Sequence, residues 1–192
     1  LARRRAYRPR RMTPLAPLSP PDLDHGDLVK PSGRPMITLT QQPFAPGVLL
    51  DGFCNGRAEV GAVASFTGLA RAEGGAAQIL ELEAYPGFTD AVIADFAERA
   101  KTRFALLDYK IVHRTGPIAP GEAIVFVATA AGHRRAAFEA CDFLMDYLKS
   151  QAPFWKKQHG PDGVRWIEPT AQDHDDVGRW DRSRLRTEEL AQ

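Results

Sequence analysis

Cysteine is nearly missing from this chain of 192 residues: Cys54 and Cys141 stand far apart and show no CxxC spacing. That argues against a disulfide framework and against a cysteine-built zinc site. No stretch approaches the roughly 18 apolar residues that a membrane-crossing helix needs, so no span is expected and the cytoplasm is the default compartment. The chain also lacks a P-loop, a GxGxxG fingerprint, a nucleophile elbow, an HExxH pair and any internal repeat. What remains is an ordinary soluble composition, 44% hydrophobic and 26% charged. The length suffices for one well-buried core with some surplus.

The net charge of +1 hides a division, because residues 1–35 carry eight Lys/Arg against three Asp and residues 36–192 therefore carry a net of −4. The first 35 residues also hold seven of the fifteen prolines and show neither helical nor strand periodicity. They read as a disordered, basic, proline-rich extension. Two origins fit it. The acid-poor start Leu1-Ala2-Arg3-Arg4-Arg5 resembles a transit peptide or a nucleic-acid arm but has no apolar core for a secretory signal. The plainer reading, favoured by the abrupt onset of ordered patterning, is that Met36 is the real start.

From there the patterning predicts a short strand at Met36–Thr40, a brief helix at Gly47–Cys54 and a buried strand at Gly61–Leu69. Ala70–Ala76, with Gly74-Gly75, reads as a flexible loop. Over Gln78–Tyr85, Ile79, Glu81, Glu83 and Tyr85 alternate with Leu80, Leu82 and Ala84, the mark of a strand with one wet face. Pro86 opens a helix running over Thr89–Leu106. Tyr109–Arg114 and Glu122–Ala130 are strands around a turn at Pro117–Gly121, and Arg134–Ser150 is a second long helix that Pro153 terminates. Phe154–Gln158 and Val164–Glu168 form short strands across Gly160-Pro161-Asp162-Gly163. From Thr170 the chain turns polar, and residues 171–192 read as a fraying tail. Strands that neighbour in sequence without intervening helices make the class α+β.

Lys149 stands out in this pattern. At about 100° per residue it falls within the arc of Phe138, Cys141, Met145 and Leu148, where an ammonium would be partly desolvated and useful as a nucleophile or acid/base. A second reading is a lysine that covers apolar surface and snorkels to water at a helix C-terminus. Lys156 follows seven residues later in Phe154-Trp155-Lys156-Lys157, either beside the same pocket or on a strand's wet face. His133 and Arg134 open the second long helix, where free backbone amides favour an anion; equally they form a solvated first turn. Arg71 lies on the loop after Phe66-Thr67-Gly68. Glu81 and Glu83 share a strand face but lack a nucleophile; His113-Arg114 offers catalytic groups, yet a histidine at a strand end is more often structural. If Arg134 and Lys149 belong to one helix they lie roughly 22 Å apart, so either they serve different sub-sites or, the favoured reading, a dimer brings His133 and Arg134 of one protomer to the lysines of the other.

Taken in order, Ser65-Phe66-Thr67-Gly68 with Arg71, Glu83-Ala84-Tyr85-Pro86-Gly87, His113-Arg114-Thr115-Gly116, Pro120-Gly121-Glu122, Gly132-His133-Arg134, Met145–Lys149 and Ala152–Lys157 resemble the MoaE family, the catalytic large subunits of molybdopterin synthase. The resemblance runs from about Met36 to Glu168, and residues 36–170 would be the catalytic domain. It implies an α/β-hammerhead fold, with two long helices on mixed and antiparallel sheet. It implies a homodimer within a heterotetramer, each large subunit holding a small ubiquitin-like sulfur carrier of the MoaD family. The reaction would move sulfur from the carrier's C-terminal thiocarboxylate to precursor Z, cyclic pyranopterin monophosphate, making the molybdopterin dithiolene without a metal or redox cofactor.

Carried over by position, Lys149 would be the principal catalytic lysine and Lys156 would neutralise the thiocarboxylate. Phe66 and Arg71 would line the pocket, and His133 with Arg134 would bind an anion across the dimer. Gln158 departs from the pattern, standing where some relatives carry an acid. The chain ends Leu190-Ala191-Gln192 rather than Gly-Gly, so a separate carrier is expected. The main alternative is a catalytically silent scaffold that docks a ubiquitin-like partner. A nucleic-acid role through residues 1–35 is disfavoured by the acidic remainder and the lack of interleaved aromatics.

Overall fold

The computed structural model describes residues 36–72, 79–161, 163–168 and 170–189. The expectations for the first 35 residues and for Gly74-Gly75 lie outside the described residues. Along the chain come β1 (Ile37–Thr40), α1 (Pro46–Cys54), β2 (Ala62–Leu69), β3 (Ile79–Ala84) and α2 (Phe88–Arg103). Then follow β4 (Asp108–Arg114), β5 (Gly116–Ile118), β6 (Ala123–Ala131) and α3 (Arg134–Ser150). β7 (Phe154–Gly160), β8 (Gly163–Ile167) and α4 (Ala171–Glu189) complete the order.

The strands form two four-stranded sheets, β1-β4-β6-β2 and β5-β3-β7-β8. β1 pairs with β4 in parallel while β4 and β2 flank β6 antiparallel, so the first sheet is mixed. The second is antiparallel throughout. This is the α+β arrangement expected, with two long helices, α2 and α3, on the first sheet. β6 is buried on both faces, which is why its sequence is a continuous apolar run rather than an alternation. Val125 and Val127 meet the core shared with α2 and α3, including Ile93, Phe96, Phe143 and Leu144. Phe126, Ala128 and Ala130 point the other way, into a smaller core with Phe53 of α1. Thr129, on the helix-facing side, donates its hydroxyl to the Ala137 carbonyl at 2.8 Å and so ties α3 to the strand.

Four expectations need correction. α2 opens at Phe88 rather than at Pro86, because Gly87 takes φ +83 and the Asp90 carboxylate accepts from its amide at 3.1 Å. The turn after β4 contains β5, three residues that pair with Leu80–Leu82 of β3; such a short, non-local strand leaves no periodicity to read. Residues 171–189 are helical rather than frayed. Thr170 and Asp173 cap α4 reciprocally, and Val177 is buried. Trp180 packs edge-on against Phe104 and Phe143 and donates to Asp146 at 2.7 Å.

The fourth concerns the phase of α3. Its buried residues are Ala137, Ala140, Cys141, Phe143, Leu144, Tyr147 and Leu148, whereas Phe138 is 65% exposed. Contacts with the sheet, α2 and α4 widen the buried arc well past the usual stripe and turn it away from Phe138. Lys149 lies about 20° from Phe138 on the helical wheel and shares its exposed flank.

Candidate active site

Helix α3 stops one residue beyond Lys149, at Ser150. The amides of Gln151 and Ala152 both donate to the Tyr147 carbonyl, and Pro153 then sends the chain into β7. Lys149 Nζ is therefore delivered at a helix C-terminus, where the dipole favours a cation. Its side chain is 61% exposed, not desolvated as the apolar stripe suggested, and Nζ donates to Asp173 Oδ1 at 2.5 Å.

Lys156 is the desolvated amine of the pair. It lies on β7 between Leu82 of β3 and Ile167 of β8. Burial lowers its pKa, the Asp173 charge raises it again and the Lys149 charge lowers it further. Lys149, Lys156 and Asp173 are thus mutual electrostatic neighbours. β7 alternates, so Lys157 faces the opposite way, paired with Glu83 and lying over the Trp166 ring.

His113 stands behind Lys156. Its ring stacks on Phe154 with centroids 4.0 Å apart, and Nδ1 meets the Arg114 carbonyl at 2.8 Å. Burial pushes its pKa down to about 4; the contact with that carbonyl resists, and the Lys156 charge adds to the lowering. The imidazole is neutral at neutral pH and adds no positive charge beside the lysines. Arg114 is buried as well, donating to the Pro117 carbonyl at 3.1 Å and facing Glu122.

Asp173 was missed in the sequence, where residues from 171 onward read as tail. It is only 4% exposed. Burial pushes its carboxyl up, but hydrogen bonds from Lys149 and from the Thr170 amide and hydroxyl, with the Lys149 charge, hold it down to about 2. The signal that could have found it is the capping pattern Thr170-x-x-Asp173 ahead of Val177 and Trp180.

Strand register places the remaining predicted residues. β2 ends at Leu69 opposite Ala123, and the Ala70 amide donates to the Glu122 carbonyl, so Arg71 follows at the end of the first sheet where β6 begins. His113 pairs with Val125 at that same end. Phe66, opposite Val127 near the middle of edge strand β2, is partly exposed. His133 and Arg134 lie at the other end of the sheet, where Ala131 pairs with Ala62. α3 is one continuous helix from Arg134 to Ser150, so the separation of roughly 22 Å from Lys149 holds within the chain. The His133 turn is seated tightly, since a Cβ at Gly61 would meet the Gly132 carbonyl oxygen at 2.1 Å.

A cleft of about 520 Å³ opens elsewhere, lined by Thr40, Gln41, Glu81, Glu83, Asp90 and Thr115 among others and by none of the six predicted site residues. Its charged lining is acidic, the wrong sign for an anionic reactant. The two-lysine end of the molecule is the better candidate for a reaction centre.

Residues 39–151 match the family described as MoaE protein. The molybdopterin synthase catalytic subunit of Caulobacter vibrioides is 73% identical over 147 residues, spanning 77% of this chain and 98% of its own. Among solved structures, the molybdopterin biosynthesis MoaE protein from Burkholderia ambifaria is 39% identical with a TM-score of 0.66, spanning 76% of this chain and 97% of that one. The molybdopterin synthase structure from Staphylococcus aureus is 26% identical with a TM-score of 0.63, spanning 70% of this chain and 98% of that one. A cationic centre built by the end of α3 and by β7, and matches that run through most of the described chain, lead to one conclusion: this chain belongs to the MoaE family.

Proposed function

We propose that this chain is the catalytic subunit of a molybdopterin synthase, with Lys149 and Lys156 as its reacting side chains. The substrate is precursor Z, cyclic pyranopterin monophosphate. The sulfur donor is the C-terminal thiocarboxylate of a small ubiquitin-like carrier of the MoaD family. Each carrier tail bears one sulfur, so a dithiolene needs two deliveries.

The observation that carries the reading is the ion pair of Lys149 with the buried Asp173, whose charge also reaches Lys156. Phosphate and thiocarboxylate are both anions and repel each other, so a site that brings them together must supply fixed positive charge. Lys149, anchored by Asp173 and open to solvent, is placed to receive one of them. Lys156, whose ammonium is weakened by burial, is suited to pass a proton to or from the reacting sulfur and oxygen, or to form a transient covalent link. Arg71, at the same end of the first sheet, and Phe66, midway along β2, serve as pocket residues.

His133 and Arg134 serve the site of a second copy. Their distance from Lys149 along α3 prevents them from serving their own, and β2 is an edge strand carrying exposed Phe66 and Leu69 while α3 exposes Phe138. Two large subunits with two carriers make a heterotetramer. None of the described helices is long and apolar enough to cross a membrane, and we place the reaction in the cytoplasm.

Reconstitution tests this. Purified chain, thiocarboxylated carrier and precursor Z should yield the dithiolene product. Carrier binding without product would instead mark the chain as a silent scaffold.

A further inference from the structure

The acid beside the two lysines comes from neither of their own elements. Gln158, two residues beyond Lys156 on β7 and on the same strand face, is uncharged and meets Arg165 at 2.7 Å. The carboxylate is brought instead by the first turn of α4. Its Oδ2 accepts from the Thr170 amide and hydroxyl, each at 2.8 Å, which completes the helix cap. The cap needs no more than that and works as well on an exposed residue. It explains neither the burial of Asp173 nor the aim of Oδ1 at Lys149 Nζ.

We propose that Asp173 is a positioning residue of the sulfur-transfer site: Oδ1 fixes Lys149 at the exit of α3, and its negative charge offsets the repulsion between the Lys149 and Lys156 ammonium groups. The inference rests on the lysine pair being the reaction centre. Among the described residues, the charged and titratable groups that act on Lys156 are Asp173 from α4, Lys149 from α3 and His113 from β4. His113 is neutral at neutral pH, so of these three Asp173 alone favours the Lys156 cation. Burial and Lys149 both oppose it. Without the carboxylate, Lys149 is released from its anchor and Lys156 gives up its proton at a lower pH. The middle of α4 is held separately, by Arg179 on Asp142 and Asp146 and by Trp180 on Asp146.

The test uses the full chain with thiocarboxylated carrier and precursor Z, comparing Asp173→Asn, Asp173→Glu and Arg179→Ala with wild type. Two readouts are taken across pH: product formation, and the rate at which an amine-specific reagent labels Lys156, read by peptide mass. Asp173→Asn should lower kcat about tenfold with little change in KM, and should move the alkaline limb and the Lys156 labelling midpoint down by about one pH unit. Asp173→Glu should restore most of both, and Arg179→Ala should leave both midpoints in place. Unmoved midpoints in Asp173→Asn, or equal movement in Arg179→Ala, would reduce Asp173 to a helix anchor and overturn the proposal. The labelling midpoint needs no turnover. It therefore decides the role of Asp173 even if Lys149→Ala turns over normally, a result that would sink the lysine reading instead.

Discussion

An alanine at position 61 would put its methyl carbon 2.1 Å from the Gly132 carbonyl oxygen and 3.0 Å from the carbonyl carbon. Carbon and oxygen normally approach no closer than about 3.3 Å, so the two backbones would have to part by roughly 1 Å. Neither is the free end of a flexible side chain. The Gly61 amide donates to the Ala131 carbonyl at 3.1 Å, and that bond would stretch beyond useful length. Overpacking costs about 1–3 kcal/mol and the lost bond about 1 kcal/mol, together about 2–4 kcal/mol. For a domain of this size that is a fall in Tm of roughly 5–15 °C. The displaced segment leads into His133 and Arg134, so turnover should fall further than the loss of folded protein explains. Gly47→Ala, in α1 with nothing within 4 Å of the added carbon, is the control and should be neutral or mildly stabilising. Urea and thermal unfolding of both variants decide the matter. A Gly61→Ala protein that melts with wild type, or a Gly47→Ala protein that loses as much, would refute the close approach.

The buried imidazole of His113 makes stability depend on pH. Its folded pKa, about 4, lies below the ordinary 6.5, so its contribution is full above pH 6.5 and is lost as pH falls through 4, by roughly 3 kcal/mol. Urea unfolding between pH 7 and 4 should show that slope, and His113→Gln should flatten it. In the core, Phe143 is buried against Tyr147 and Trp180, and Phe143→Ala should cost about 3–5 kcal/mol and loosen α4, seen as faster amide exchange over that helix. If sites are shared across a dimer, a Lys149→Ala chain and an Arg134→Ala chain, each inactive alone, should recover about a quarter of wild-type activity when co-assembled in equal amounts. No recovery would confine the site to one chain.

The elements that could be read in the sequence were those bracketed by local signals. α3 runs from Arg134 to Ser150 as expected, because Gly132 precedes it and Pro153 closes it. β3 was visible through its alternation and β6 through its unbroken apolar run. β5 was not, since its pairing with β3 is set by tertiary contact. α4 was hidden by polarity: among its described side chains, Val177 and Trp180 are the apolar residues it packs inward, and the Thr170–Asp173 cap is a short signal ahead of them. The phase of α3 was misjudged because Phe138 outweighs Ala137 and Ala140 in hydrophobicity, although it is the alanines that fit against the sheet. That error made Lys149 the desolvated amine, when burial falls on Lys156. The acid beside Lys149 was marked only by that cap.

Product formation by folded Lys149→Ala and Lys156→Ala chains, with thiocarboxylated carrier and precursor Z, tests the account most directly. Circular dichroism and melting should match wild type for Lys149→Ala, whose side chain is largely exposed, and dithiolene formation by either variant should fall about a hundredfold or more. Wild-type turnover in Lys149→Ala would contradict the account.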